Sequence, residues 1–339
     1  MRAVLFDGKS VRVVEDAPEP VPGKGEALIR PTLVAVGPSD LEVARGHTDF
    51  RGVMGHLFVG VVEHVEPAGS GVSGVYGGAD RSSLVGTRVV GSINIVPMDS
   101  PLARKGLGNH ARDRQVLGLY NRDGCFADRL TLPAANLVSV PDAIGDDQAV
   151  LTALLAEAVH ASRITRIEGK PFVTIIGDGL VALLCAQVMT KMNASVRLLG
   201  ENPARFGLCE KWGVKHRAIS EAGLRQDQDI VIECTGTVDG LEKAMGMVRP
   251  RGRIVLKHEA VPTPGSGQGG PGADLTPIVM NELEVVGARC GSPGEALALQ
   301  SQQPIDLISL IGRRLRLADA PEALRLASEP GGLCVVMEP

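Results

Sequence analysis

One short stretch constrains the fold of this 339-residue chain more than any other: Phe172-Val-Thr-Ile-Ile-Gly177-Asp178-Gly179-Leu180-Val181-Ala182-Leu-Leu. A β-branched apolar run enters a Gly-x-Gly turn, and an apolar, helix-like segment from Leu183 to Met192 leaves it. That strand–turn–helix holds a dinucleotide pyrophosphate: Gly177 permits the turn, Gly179 lets backbone approach phosphate, and Ala182 lets the helix pack on the strand. Free N–H groups at the helix start and the helix dipole then favour the anion. The same glycines could serve a plain βα turn with no ligand, but the flanking strand and helix favour the nucleotide. About 170 residues precede the turn, so the nucleotide-binding unit is appended to something else.

The length allows about two domains with sizeable cores. Charged residues make up 22% and hydrophobic ones 44%, as in ordinary globular proteins. The net charge is −4 and the isoelectric point about 6.0. No lysine/arginine cluster suggests nucleic acid or a membrane surface as a partner. The start, Met1 to Gly8, is charged too soon for a signal peptide, and no apolar run reaches the roughly 18 residues of a membrane span; the expected location is cytoplasmic. Six cysteines (125, 185, 209, 234, 290 and 334) stand singly, with no Cys-x-x-Cys. They read as small core hydrophobes, not as a disulfide framework or a metal site.

The first 140 residues read as strands and turns. Alternation in Val11-Arg-Val-Val, Ala27-Leu-Ile-Arg and Val59-Gly-Val-Val-Glu-His-Val fits half-buried strands, with proline and glycine between them. Gly69 to Gly86 reads as an exposed loop. From about Asp142 the texture changes: a helical spacing starts at Asp146, and strands then alternate with helices at 172–177, 183–192, 195–200, 203–212, 229–234, 238–248 and 253–257. Such alternation predicts βαβ units and a parallel sheet. Thr263 to Gly272 is a glycine-rich surface loop, and a further strand follows from Leu283. The tail, ending in Leu333-Cys-Val-Val-Met, rejoins the first domain on this reading.

Over nearly its whole length the chain resembles the medium-chain dehydrogenases of the zinc alcohol, polyol and threonine dehydrogenase type. The resemblance rests on the order of Pro22-Gly-Lys-Gly-Glu26, Ser39-Asp40-Leu41, Gly55-His56-x-Phe58-Val-Gly60, Gly86-x-Arg88-Val-Val, Asp123-Gly-x-Phe-Ala127 and Val248-Arg-Pro-x-Gly252. Such enzymes usually hold a catalytic zinc, a Lewis acid for the substrate oxygen. Here the places of its ligands read Gly37, His56, Leu57 and Ala153. One ligand of four cannot hold zinc, which takes at least three from the protein. The four cysteines of the family's structural zinc are replaced by Pro97, Ser100, Ala103 and Ala111. No metal is expected at either place.

The resemblance gives Ser39 a contact with the substrate oxygen and Asp40 the orientation of His56, a neighbourhood that could shuttle a proton while the cofactor supplies hydride. The alternative is a leftover, satisfied His56–Asp40 pair. Glu157 lies one helical turn past Ala153 and could replace a lost carboxylate, although a solvated glutamate is the simpler reading. Cofactor choice turns on the end of the second strand. Glu201 stands near the place of the acid that binds the NAD ribose, but the family's aspartate falls on Gly200, and Arg205 would attract an NADP phosphate. NAD is slightly favoured over NADP. Asn202 lies in the same segment. Cys234-Thr235-Gly236 should lie beneath the adenosine side, and Leu256, Lys257, Ala288, Arg289 and Cys290 should border the nicotinamide.

The expected fold is α/β: a GroES-like, mostly β catalytic domain over 1–140, completed by 288–339, and a Rossmann doubly wound parallel sheet over 141–287, with the cleft between them as the site. The expected function is that of an NAD(P)-dependent oxidoreductase without catalytic zinc, acting on a small carbonyl, enone or quinone. The alternative is a catalytically degenerate nucleotide-binding scaffold. The resemblance also implies a homodimer joined through the Rossmann sheet edge.

Overall fold

The computed structural model describes residues 1–68, 81–97, 99–258 and 272–339. Most of the two loops expected at Gly69 to Gly86 and Thr263 to Gly272 lies outside the described residues. The chain divides into two compact units: Met1–Ala153 with Ala296–Gln302 and Leu307–Pro339, and Leu154–Glu295 with Gln303–Asp306.

The first unit is built on the alternation visible in its strands. Glu26–Ala35 buries Ala27, Ile29, Leu33 and Val34 and pairs antiparallel with Leu57–Val65. They are the centre of a seven-stranded sheet, with the path Leu137–Ser139, Arg88–Gly91, Leu57–Val65, Glu26–Ala35, Cys334–Glu338 and Ile311–Arg316. The seventh strand, Leu130–Pro133, pairs off this path with Glu26–Ala35. The terminal strand therefore does return to this unit, with Val336 opposite Ala35. Val11–Val14, Ala3–Phe6 and Gly52–Val53 form a smaller antiparallel sheet. Phe6, Ile29, Met54, Leu117, Phe126 and Leu132 fill the core.

Gly55 shows why a glycine precedes His56. Its φ is +96°, and a Cβ there would overlap the Phe126 ring at 2.2 Å, so only glycine lets the chain turn into Leu57–Val65 over that ring. Helix α1 (Pro38–Ala44) starts at an N-cap Gly37 with proline in its first position. Asp40 reaches back to accept the Gly37 N–H at 2.8 Å, the acidic half of a capping box.

In the second unit the apolar runs become six parallel strands: β1 (Phe172–Ile176), β2 (Ser195–Gly200), β3 (Lys215–Ala218), β4 (Gln228–Glu233), β5 (Val248–Leu256) and β6 (Glu284–Gly287). Their order is β3-β2-β1-β4-β5-β6, that of a dinucleotide-binding sheet. Val173, Ile175, Leu198, Val231, Ile232, Ile254 and Val255 are all buried, as strands covered on both faces must be. The helices are α2 (Thr152–Thr165), α3 (Leu180–Lys191), α4 (Pro203–Lys211) and α5 (Val238–Met247).

Three elements differ from expectation. The helical stretch from Asp146 is broken into Asp146–Ala149 and α2. Helix α3 starts at Leu180 rather than Leu183, because Gly179, extended at φ −66° and ψ 171°, is its N-cap. Strand β3 was not expected: Lys-His-Arg-Ala carries no apolar alternation and runs along a sheet edge, where charge is tolerated. No helix of the described residues is long and apolar enough to cross a membrane.

Candidate functional site

In the first unit the structure joins Asp40 to His56. Asp40 is fully buried and His56 is 4% exposed. Asp40 Oδ1 lies 3.0 Å from His56 Nδ1, while its Oδ2 takes the Gly37 N–H. An ionised carboxylate only accepts, so this pairing places the imidazole N–H on Nδ1. Ser39 is exposed on the first turn of α1.

Gly37 lies directly against the imidazole: a Cβ there would stand 2.9 Å from His56 Cε1, 3.0 Å from His56 Nε2 and 3.0 Å from Leu57 Cδ1. Two buried thiols share this neighbourhood. Burial, with the Asp40 charge, pushes Cys334 up to about 12 and Cys125 well above the usual thiol range. Cys125 Sγ points to the Leu57 carbonyl at 3.5 Å and Cys334 Sγ to that of Val36 at 3.7 Å. Both are neutral core thiols at neutral pH. In the lobe expected to have lost four cysteines, Ser100, Ala103 and Ala111 are buried. Among the described residues, no group of three or more His, Cys, Asp or Glu side chains gathers to hold a metal.

In the second unit β1 ends in the glycine turn. Gly177 has φ +108°, and its absent Cβ faces Thr235 Cγ2 at 3.3 Å and Cys234 at 3.4 Å, so the turn rests on the end of β4. Gly179 faces open space, with nothing within 4 Å of a Cβ. No side chain caps α3, so the first-turn N–H groups of Leu180 and Val181 have no side-chain acceptor. A helix start with these properties suits a phosphate. Residues 181 to 189 of α3 are buried, which anchors the turn.

Asp178, the residue between the glycines, is bonded to the end of β2. Its Oδ2 accepts the N–H groups of Glu201 at 2.9 Å and Asn202 at 2.7 Å. Arg205 Nη1 donates to its backbone oxygen at 2.6 Å and to Oδ1 at 3.2 Å. Asn202 caps α4 through Ala204 N–H at 3.0 Å, while Glu201 is exposed. Burial, with Asp178 and Glu210 nearby, pushes Cys209 up to about 11.

Glu233 was not picked out by the sequence reading, and the pairing of Glu157 with Lys257, both named there, was not foreseen. Glu233 is 2% exposed and accepts from the Thr235 N–H at 2.6 Å, from the Thr235 hydroxyl and from the Gly236 N–H at 3.1 Å, so it shapes the Cys234-Thr235-Gly236 turn. Cys234 itself is held well above the usual thiol range by the neighbouring Cys185, burial and Glu233. Glu157 pairs with Lys257 at 3.2 Å, not with solvent alone, and the Lys257 side chain is 0% exposed. Lys257 Nζ also donates to the carbonyls of Ala288 at 3.3 Å and Arg289 at 3.1 Å. Its ammonium thus clasps the end of β5, the chain beyond β6 and α2. Leu256 and Cys290 are half-buried and Arg289 is exposed.

Known proteins fit this geometry. Residues 23–142 match the alcohol dehydrogenase GroES-like domain. A sorbitol dehydrogenase of Halalkalibacterium halodurans is 24% identical, over 96% of this chain and 95% of its own. An L-threonine 3-dehydrogenase of Chelativorans sp. is 26% identical, over 91% of this chain and 90% of its own. An alcohol dehydrogenase of Escherichia coli CFT073, solved with NADH, superposes with a TM-score of 0.86 at 21% identity, over 100% of this chain and 99% of its own. Over nearly its whole length the chain is thus similar to medium-chain dehydrogenases of the alcohol, polyol and threonine type, and residues 23–142 carry their GroES-like domain. Like these relatives, it is an oxidoreductase.

Proposed function

We propose that this protein transfers hydride between NAD(P) and a small carbonyl, enone or quinone without a catalytic zinc. The observation that carries the reading is the packing of Gly37 against His56. The place of a metal-binding side chain at position 37 is taken up by the imidazole itself. Leu57 and Ala153 offer no donor, so zinc, which needs three protein ligands, does not fit the residues present.

A nicotinamide cofactor does fit the second unit, and the NADH of the related structure supports it. Gly177, Gly179, Leu180 and Val181 would hold the pyrophosphate; Asp178 between the glycines, the Glu201–Asn202 stretch just past β2 and Arg205 on α4 would border the adenosine ribose, and Thr235 and Gly236 just past β4 would lie beneath it. Leu256, Lys257, Ala288, Arg289 and Cys290 lie at the ends of β5 and β6, on the carboxyl edge where such sheets take ligands. When bound, the cofactor supplies or accepts the hydride.

His56, fixed by Asp40, is the proton donor to the reduced product, and the exposed Ser39 hydroxyl is the contact for the substrate oxygen. Without a Lewis acid an alkoxide has no metal to stabilise it. An already polarised acceptor therefore suits this site better than an alcohol.

Metal analysis of protein purified without chelator, followed by NADH and NADPH oxidation across enones, quinones and aldehydes, tests the proposal. Turnover at zero zinc is the expected result. Cofactor binding without turnover on any acceptor favours the scaffold reading, and activity that appears only with one zinc per chain ends the metal-free one.

The reading includes a homodimer through β6. That strand is an open sheet edge, and Leu275, Val279 and Met280 just before it are 54%, 77% and 74% exposed, more apolar surface than an isolated edge would leave in water. Its six free thiols suit a reducing, cytoplasmic setting, with a small molecule as substrate and neither nucleic acid nor membrane as partner.

A further inference from the structure

A carboxylate stands where position 200 has no side chain. Gly200 ends β2, and a Cβ there would lie 2.5 Å from Oδ2, 2.7 Å from Cβ and 2.9 Å from Cγ of Asp178. The glycine turn has thus placed its own acidic side chain in the volume that a side chain on the strand end would fill. An aspartate at position 200 and one at 178 exclude each other.

The carboxylate is oriented and partly open. Two N–H groups occupy Oδ2 and one guanidinium N–H occupies Oδ1. An ionised carboxylate has about four acceptor sites, so Oδ1 retains one, and the side chain is 15% exposed. Arg205, the cation that would draw a phosphate to this end of the sheet, is engaged by Asp178 at both its carboxylate and its backbone oxygen.

We propose that Asp178, rather than Glu201, reads the adenosine ribose and makes the protein selective for NAD(H) over NADP(H). In dinucleotide-binding sheets an acidic side chain at the end of the second strand accepts the ribose 2′-hydroxyl. Here that acceptor comes from the glycine turn instead. It takes the 2′-hydroxyl on Oδ1, repels a 2′-phosphate, and keeps Arg205 neutralised. The inference rests on the nucleotide reading of this unit.

Titration of the full chain with NADH and NADPH, followed by nicotinamide fluorescence, tests it. The unmodified protein is expected to bind NADH at least about tenfold more tightly. Asp178→Asn keeps the shape but removes the charge, and should lower that preference about tenfold or more. Glu201→Gln, at an exposed side chain, should change it by no more than about twofold. The double variant Asp178→Gly/Gly200→Asp returns the carboxylate to the strand end and should restore the preference; it also decides the matter if Asp178→Asn fails to fold. Tighter NADPH binding by the unmodified protein overturns the inference but leaves nucleotide binding intact. So does a preference lost in Glu201→Gln and kept in Asp178→Asn, or a folded double variant without it. Binding of neither nucleotide overturns the underlying reading instead.

Discussion

His56 packs its imidazole edge against Gly37, with Nε2 3.0 Å from where a Cβ at position 37 would sit. The φ of Gly37 is −95°, which any residue adopts, so the glycine is required by the ring and not by the backbone. Gly37→Ala should therefore cost about 1–3 kcal/mol of overpacking, read by urea unfolding. Gly37→Cys should be destabilised alike and still bind no stoichiometric zinc, since Leu57 and Ala153 remain without donors. One tightly bound zinc per chain in that variant, at undiminished stability, would show that the ring yields readily and that the site is dormant rather than closed.

Asp40 serves two partners at once, His56 Nδ1 and the Gly37 N–H. An asparagine in its place has a single acceptor oxygen and could accept from only one of them. If its amide oxygen stays on Gly37, the NH2 faces Nδ1, and the imidazolium that donates from Nε2 loses both its Nδ1 acceptor and the carboxylate that stabilises it. Asp40→Asn is expected to lower kcat about a hundredfold and stability by about 1–3 kcal/mol, with NADH affinity unchanged. A variant as active as the parent on the same acceptor would make His56–Asp40 a packing feature only.

These two predictions use residues that stand out in the chain itself, because a Gly-His pair after a strand and a Ser-Asp on a helix start are local patterns. The sheet was legible for the same reason: β1, β2 and β4 each carry a short cluster of apolar residues, and their alternation with helices leaves few topologies. Strand β3 was not, since Lys215 to Ala218 owes its conformation to pairing with β2 rather than to its own composition. Asp178 was legible as part of the turn, but its replacement of a side chain at Gly200 depends on two segments meeting in space. Glu233 and the Glu157–Lys257 pair were hidden likewise, because a charged residue inside an element reads as solvated until its partner is known.

The Glu157–Lys257 pair is asymmetric. The Lys257 side chain is fully buried and that of Glu157 is 25% exposed. Glu157→Ala leaves a buried ammonium with two carbonyls and no counter-charge, at a cost of about 3–5 kcal/mol. Lys257→Met leaves a glutamate that water can reach and should cost less, about 1–3 kcal/mol for the two carbonyls. Denaturant midpoints compared at equal slope measure the difference. If Lys257→Met is the more damaging, the lysine's worth lies in its carbonyl bonds and not in its charge pairing.

Asp229 should govern part of the acid sensitivity of the second unit. Burial alone would raise its pKa, but the Arg249 guanidinium at 2.7 Å and the Phe172 N–H at 2.8 Å hold it below the usual carboxylate value. These bonds tie the start of β1 to β4 and to the start of β5. A folded-state pKa below the unfolded one means that the unfolded chain binds the proton more readily. The contribution to stability is therefore complete above the unfolded value of about 3.9 and is lost as the pH falls through the folded one. Asp229→Asn should be less stable than the parent at pH 7 by about 1 kcal/mol, and the gap should close once the pH drops below the folded pKa. A gap of constant size from pH 7 down to acid unfolding would assign the effect to shape and not to charge.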